Sequence, residues 1–193
     1  FVELFNEVHV AIAELAAGFP EVKFVIKTKW GGRWHENIFS AIEKSGLKES
    51  DIPNLVITDE GDPADLIIAS SAVVAFQSTT LAEALVGGRR VIYPYFSEAR
   101  FPEYQDWLLL YSERDLFDVV TSKSALKEAV SVAIAHPEID QSTLPRRRAA
   151  FERYVSPTGG GILDNYIDVE FCQESIFRIH KCNGAVLKAQ NNF

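Results

Sequence analysis

The sequence predicts an α/β fold: a Rossmann-like doubly wound parallel sheet with helices on both faces. Three observations predict it. Short apolar runs rich in Val and Ile alternate with stretches of helical periodicity over the first 160 residues. The runs are continuous rather than alternating, which suits strands covered on both faces. Gly, Pro or an Asp-Pro pair punctuates most of the joins.

Phe5, Val8, Ile12 and Leu15 recur at helical spacing, so residues 3–17 should form an amphipathic helix ended by Gly18 and Pro20. VKFVIKT (22–28) reads as a strand, GGRW as a loop, and HENIFSAIEKSG as a helix closed by Gly46. NLVIT (54–58) is the next strand. Asp62-Pro63 supplies an N-cap and a proline at the first helical position, starting a short helix to Ser70. A strand over 72–76, a helix over 79–86 stopped by Gly87, and a strand over 90–93 follow. FPEYQDWLLLYS (101–112) reads as helical, 116–122 as a last strand, and SKSALKEAVSVAIAH as a helix ended at His136-Pro137. Beyond lie a helix over 145–154, the loop SPTGGG, a final helix over 162–178 and a polar tail from Lys181. Residues 1–160 are expected to be one doubly wound α/β domain, and residues 161–193 a C-terminal helix and tail.

The 193 residues suffice for one good core, and 47% apolar with 24% charged content is ordinary for a globular protein. The longest apolar runs, such as Ala72 to Phe76, are far too short to cross a bilayer. A net charge of −8 and a pI near 5.0 argue against broad nucleic-acid binding and against a basic membrane-attachment face. Cys172 and Cys182 match no zinc spacing and read as free thiols of a reducing compartment. The expected location is the cytoplasm, peripheral to the inner face of the membrane through the missing part. With no Met and an opening inside a helix pattern, the chain reads as the C-terminal piece of a longer protein.

Residues 73–96, VVAFQSTTLAEALVGGRRVIYPYF, place a hydroxyl cluster between a buried strand and a helix. Ligands of open α/β sheets bind outside the carboxyl ends of the strands. Loop 77–80 lies at such an end, ahead of a helix whose amides attract anions. Ser78, Thr79 and Thr80 would add donors, although the glycine-rich phosphate fingerprint is absent. The same residues fit a capping box: Thr80 could bond the amide of Glu83 while Glu83 reaches back to the amide of Thr80. Spacing leaves both readings open.

ADLIIASSAVVAFQSTTLAEALVGGRRVIYPYF (64–96) resembles the donor-binding half of GT-B glycosyltransferases. It is most similar to the bacterial surface-polysaccharide and CDP-glycerol glycerophosphotransferase-like branch. FVIKTK upstream resembles the strand that ends in a basic residue in such proteins, and FERYVSPTGGGILDNYIDV downstream resembles their closing segment and terminal helix. The resemblance spans roughly residues 1–170. It implies one half of a GT-B fold and a nucleotide-sugar or nucleotide-polyol donor, in a transferase of surface polysaccharide or glycoconjugate biosynthesis. It implies that Gln77, Ser78, Thr79 and Thr80 face the donor diphosphate, that Glu83 accepts from ribose hydroxyls, and that Lys27 brings positive charge to the phosphates. No metal and no cofactor is implied. The chain departs from the pattern at Thr28-Lys29-Trp30, where relatives carry His-Pro, and at Thr158-Gly159-Gly160-Gly161, where they carry Asp-Gly. The resemblance further implies that residues 1–160 bind the donor and that residues 161–193 cross to an N-terminal domain missing from this chain. That domain would carry the catalytic base, so none is assigned and the piece alone should be inactive. Two other readings are a sugar-nucleotide epimerase of the UDP-N-acetylglucosamine 2-epimerase type and a non-catalytic α/β scaffold whose joint is merely capped.

Among the remaining candidates, His35 at a helix start reads as a cap or a ligand contact, and His136 as a helix C-terminal residue that suits the dipole. His9 and His180 have no partners at metal spacing. Arg146, Arg147, Arg148 and Arg153 read as a solvated helix face, with phosphate binding as the other use. No Ser-His-Asp order and no paired-carboxylate signal is present.

Overall fold

The computed structural model describes residues 1–155 and 176–181. Its elements are, in chain order, α1 (Val2–Gly18), β1 (Val22–Lys27), α2 (Arg33–Lys44), β2 (Leu55–Thr58), α3 (Pro63–Ile68), β3 (Ala72–Ala75) and α4 (Thr80–Val86). There follow β4 (Arg90–Pro94), β5 (Asp118–Val120), α5 (Lys123–Ala135), α6 (Leu144–Val155) and β6 (Ile176–Lys181). The chain is therefore α/β with parallel strands, as its alternating pattern predicts. Local chemistry sets the boundaries where expected: the Asp62 carboxylate accepts from the Ala64 amide at 2.8 Å, and Ser122 Oγ from that of Ala125 at 3.1 Å.

Two parallel runs, β1–β2 and β3–β4–β5, are joined edge to edge by β6, in the order β2-β1-β6-β3-β4-β5. β6 pairs antiparallel with both neighbours, Lys27 and Ala75 each lying opposite Ile176. This corrects two expectations. The strands are not all parallel, and residues 176–178, expected to end a helix, begin a strand. IFRIHK is a short apolar run of the kind periodicity cannot assign, and the open ladders of β1 and β3 decide it. The loop SPTGGG, the expected helix over 162–175, both cysteines and the residues after Lys181 lie outside the described residues.

FPEYQDWLLLYS is also corrected. It forms two 3-10 segments, Pro102–Trp107 and Tyr111–Leu116, instead of an α-helix. Leu110 between them adopts a left-handed conformation (φ 54°), which no α-helical ladder accepts.

Strand alternation divides the core into two layers. Ala72 and Val74 of β3, with Phe24, Ile26 and Ile92, pack under α1, α2 and α5. Val73 and Ala75, with Val91 and Tyr93, face the other way and pack against α3, α4 and residue Ala150 of α6. Asn54 fastens the first layer: its amide nitrogen lies 2.7–3.0 Å from the carbonyls of Ala16, Phe19 and Val22, tying the end of α1 to the start of β1. The arrangement sets the carboxyl ends of β1 and β3 at one edge of the sheet, a single strand apart. The chain order reverses between them.

Candidate functional site

The joint after β3 is built on a strained residue. Gln77 has φ 52°, in the left-handed region that a non-glycine side chain occupies at a cost, and its Oε1 accepts from the Leu109 amide at 2.8 Å. That bond ties the joint to the 3-10 region beyond β4. Ser78 and Thr80 are fully buried and bonded to each other, Ser78 Oγ donating to Thr80 Oγ1 at 3.0 Å. The Thr80 amide donates back to Ser78 Oγ at 3.3 Å, and the Glu83 amide goes to the Thr79 carbonyl. The N-cap of α4 is Thr79, with no side-chain cap bond, so the predicted capping box at Thr80 and Glu83 is not formed; Ser78 Oγ instead accepts from the amide of the first helical residue. The Thr79 hydroxyl is left over: it is buried and has no partner among the described residues. Glu83 is half-buried on the first turn of α4.

Lys27 lies at the end of β1, as the sequence predicts, but its ammonium turns toward β2. It donates to the carbonyls of Thr28 at 2.7 Å and Asp59 at 2.8 Å, and burial pulls its pKa below the usual lysine value, with the Asp59 charge opposing. The structure therefore brings Gln77, Ser78, Thr79, Thr80 and Glu83 together and leaves the Lys27 charge on the far side of β6. Beside Lys27 stands a pair that the sequence did not reveal. Thr28 Oγ1 meets His35 Nε2 at 2.9 Å and reaches the Thr58 carbonyl at 3.4 Å. His35 is thus held by the end of β1 rather than capping α2, whose N-cap is Gly32 with φ 58°.

Two other features shape this edge electrostatically. The N-terminus of α1 carries its own anion: Glu98, just after β4, accepts from the amides of Glu3 at 2.7 Å and Leu4 at 2.8 Å. Burial raises the Glu98 pKa, and the two amide bonds outweigh it, leaving the carboxyl below its usual range. The arginines of α6 are exposed as expected, except Arg147, which turns inward. Arg147 is buried and donates to Thr143 Oγ1, the Arg89 carbonyl and the Leu116 carbonyl, while Arg146 pairs with Asp115 and Arg153 with Glu113. Sequence reasoning missed Arg147 because nothing in an Arg-Arg-Arg run marks the one that turns inward.

A cavity of about 490 Å³ opens between α1, α2 and the carboxyl ends of β3 and β4. Phe5, Trp34 and Phe76 supply aromatic walls, and His9, Asn37 and Lys44 are among its polar lining. It meets the joint at Phe76, the residue before Gln77. Among the described residues no group of His, Cys, Asp and Glu is placed to hold a metal ion, and no helix is long and apolar enough to cross a membrane. Comparison of the chain with protein-family models, curated proteins and solved structures finds no match.

Proposed function

We propose that this chain is the donor-binding domain of a transferase that uses a nucleotide-activated sugar or polyol. The architecture is read as one Rossmann-like half of a GT-B fold, with the donor at the reversal of strand order between β1 and β3. One observation carries the reading: at that reversal the β3–α4 joint combines a strained Gln77 with a buried Thr79 hydroxyl that has no partner among the described residues. Neither caps α4, whose N-cap Thr79 makes no side-chain cap bond. Each has a cost that a purely structural joint could avoid, of order 1–3 kcal/mol for the conformation or for the unpaired hydroxyl. Ligand binding is the usual return for such a cost, and the resemblance of residues 64–96 to nucleotide-sugar enzymes names the ligand.

In this reading Ser78 and Thr80 hold the joint in shape, and Thr79 turns its hydroxyl to a phosphate oxygen of the donor. Glu83 accepts from the ribose hydroxyls through charge-assisted bonds. As the acceptor oxygen attacks, the bond to the leaving phosphate breaks, and preorganised donors at the joint stabilise the charge that develops there. Lys27 holds the Asp59 loop against the end of β1, on the far side of β6 from the joint. The burial of Ser78 and Thr80 favours one competing reading, a non-catalytic scaffold domain.

Thermal melting with UDP, CDP, GDP and ADP separates the two. Ligand at a hundredfold its Kd should stabilise the domain by about 2.7 kcal/mol, and the preferred base should emerge from the panel. Thr79→Val should keep or raise the melting temperature of the free protein while shrinking that shift. A panel with no shift at millimolar concentration would leave the scaffold reading standing.

A further inference from the structure

We propose that Tyr95, Tyr111, Arg100 and Arg114, gathered beyond the carboxyl end of β4, bind the terminal phosphate of a small phosphate monoester. The proposal does not rest on the donor reading, because none of these four residues belongs to the β3–α4 joint.

Valence comes first. Tyr95 and Tyr111 meet hydroxyl to hydroxyl at 3.2 Å, and the Gln105 side-chain amide donates to the Tyr95 oxygen at 3.3 Å. An amide nitrogen only donates, so that bond uses neither phenolic proton. The pair owns two protons and spends one between its own oxygens. Whichever tyrosine donates, one O–H is left without an acceptor among the described residues. Both tyrosines are only half-buried, which keeps the pair within reach of a ligand.

Charge follows. Arg114 lies over the Tyr111 ring, its guanidinium carbon 4.4 Å from the ring centre, and spends one nitrogen on the Tyr111 carbonyl at 3.0 Å. Arg100 is exposed and makes no hydrogen bond or ion pair among the described residues. Both cations are felt at the Tyr95 phenol. The bond to Tyr111 raises its pKa, burial adds to that, and the charges of Arg100 and Arg114 oppose the rise. The acids on the two segments that carry these arginines are engaged elsewhere: Glu98 by the α1 amides, Glu113 by Arg153, and Asp115 by Arg146.

The backbone is strained at the same place. Ser97 (φ 47°) opens the 3-10 turn that ends at Arg100, and Leu110 (φ 54°) precedes the one that carries Tyr111 and Arg114. Non-glycine residues in the left-handed region are uncommon, and they gather at ligand sites.

The donor set selects the ligand. Two guanidinium groups and a hydroxyl, brought from separate turns, suit a group with three acceptor oxygens and about two negative charges, which a terminal phosphate has. A carboxylate offers one oxygen and one charge fewer.

Phosphorus NMR titration of the whole chain with methyl phosphate tests this, with acetate as competitor. Saturable binding is expected, displaced by acetate only in large excess. Arg100→Gln should weaken it by roughly fivefold, the upper value of an exposed ion pair, and adding Arg114→Gln should remove saturation. Arg100 is exposed and unbonded, so the first variant should fold. Thr79→Val should leave methyl phosphate binding unchanged, whereas the donor reading has that variant lose nucleotide. No saturation, indifference to Arg100→Gln, or equal competition by acetate would each overturn the proposal. Methyl phosphate binding lost in Thr79→Val would place the phosphate at the joint, overturning this proposal while leaving the donor reading intact.

Discussion

Acidification should destabilise this protein through His9 well before its carboxylates titrate. Burial pushes the His9 imidazole down to about 4, the bond to the Phe5 carbonyl offsetting part of the cost. An unfolded histidine titrates near 6.5, so the unfolded state binds the proton first and stability falls as pH drops from about 6.5 to about 4. The contribution is fully present above the unfolded value. Integrating the two titrations gives a loss of about 2 kcal/mol between pH 7 and pH 5, and about 3 kcal/mol by pH 4. For a chain of this length the first figure is a drop in melting temperature of roughly 4–8 °C. Glu14 and Glu98 have lowered pKa values and add an acid dependence of their own below about pH 5, as protonation reaches carboxylates. Comparison with His9→Leu removes that background, because both chains share it. The assay is urea unfolding of wild type and His9→Leu at pH 7, 6 and 5. Wild type should lose about 2 kcal/mol more than the variant over that range. Equal losses would show that His9 is not held neutral in the fold.

Other substitutions test the joints of the structure. Asn54→Ala strips a donor from the carbonyls of Ala16, Phe19 and Val22 and should cost about 1–3 kcal/mol in chemical denaturation. Ser78→Ala removes the acceptor of the Thr80 amide and the partner of the buried Thr80 hydroxyl, for a loss of about 1–2 kcal/mol by thermal melting. Arg147→Lys keeps the charge but cannot span the Thr143, Arg89 and Leu116 oxygens, and should destabilise by roughly 2 kcal/mol in the same assay.

Much of the fold was legible because the signals were local. The Asp62-Pro63 pair, the apolar runs at β1, β3 and β4, and the spacing of Phe5, Val8, Ile12 and Leu15 each report a backbone state set by near neighbours. β6 was not legible. Its strand state depends on ladders offered by β1 and β3, about 150 and 100 residues away in sequence, and the run IFRIHK carries no period of its own. The joint was half legible. The hydroxyl cluster was visible at Ser78, Thr79 and Thr80, but which hydroxyl bonds an amide and which is left over depends on the left-handed turn at Gln77, a conformation no pattern in the sequence requires. Lys27 was placed at the right edge, and its ammonium is held there by the carbonyls of Thr28 and Asp59. The Thr28–His35 contact joins residues seven apart across a loop and carried no recognisable signal.

The most direct test of the donor reading is calorimetric titration of wild type and Glu83→Gln with the nucleoside diphosphate that the melting panel prefers. Glu83 lies half-buried on the first turn of α4 beside Thr79 and Thr80, and the substitution keeps its shape. Melting of the free protein should change by no more than about 1 kcal/mol, the usual scale of a charge near a helix start. A carboxylate that accepts from ribose hydroxyls makes charge-assisted bonds of about 1.5–3 kcal/mol, so the variant should bind roughly tenfold more weakly or worse. Nucleotide binding by Glu83→Gln as tight as that of the wild type would contradict the account.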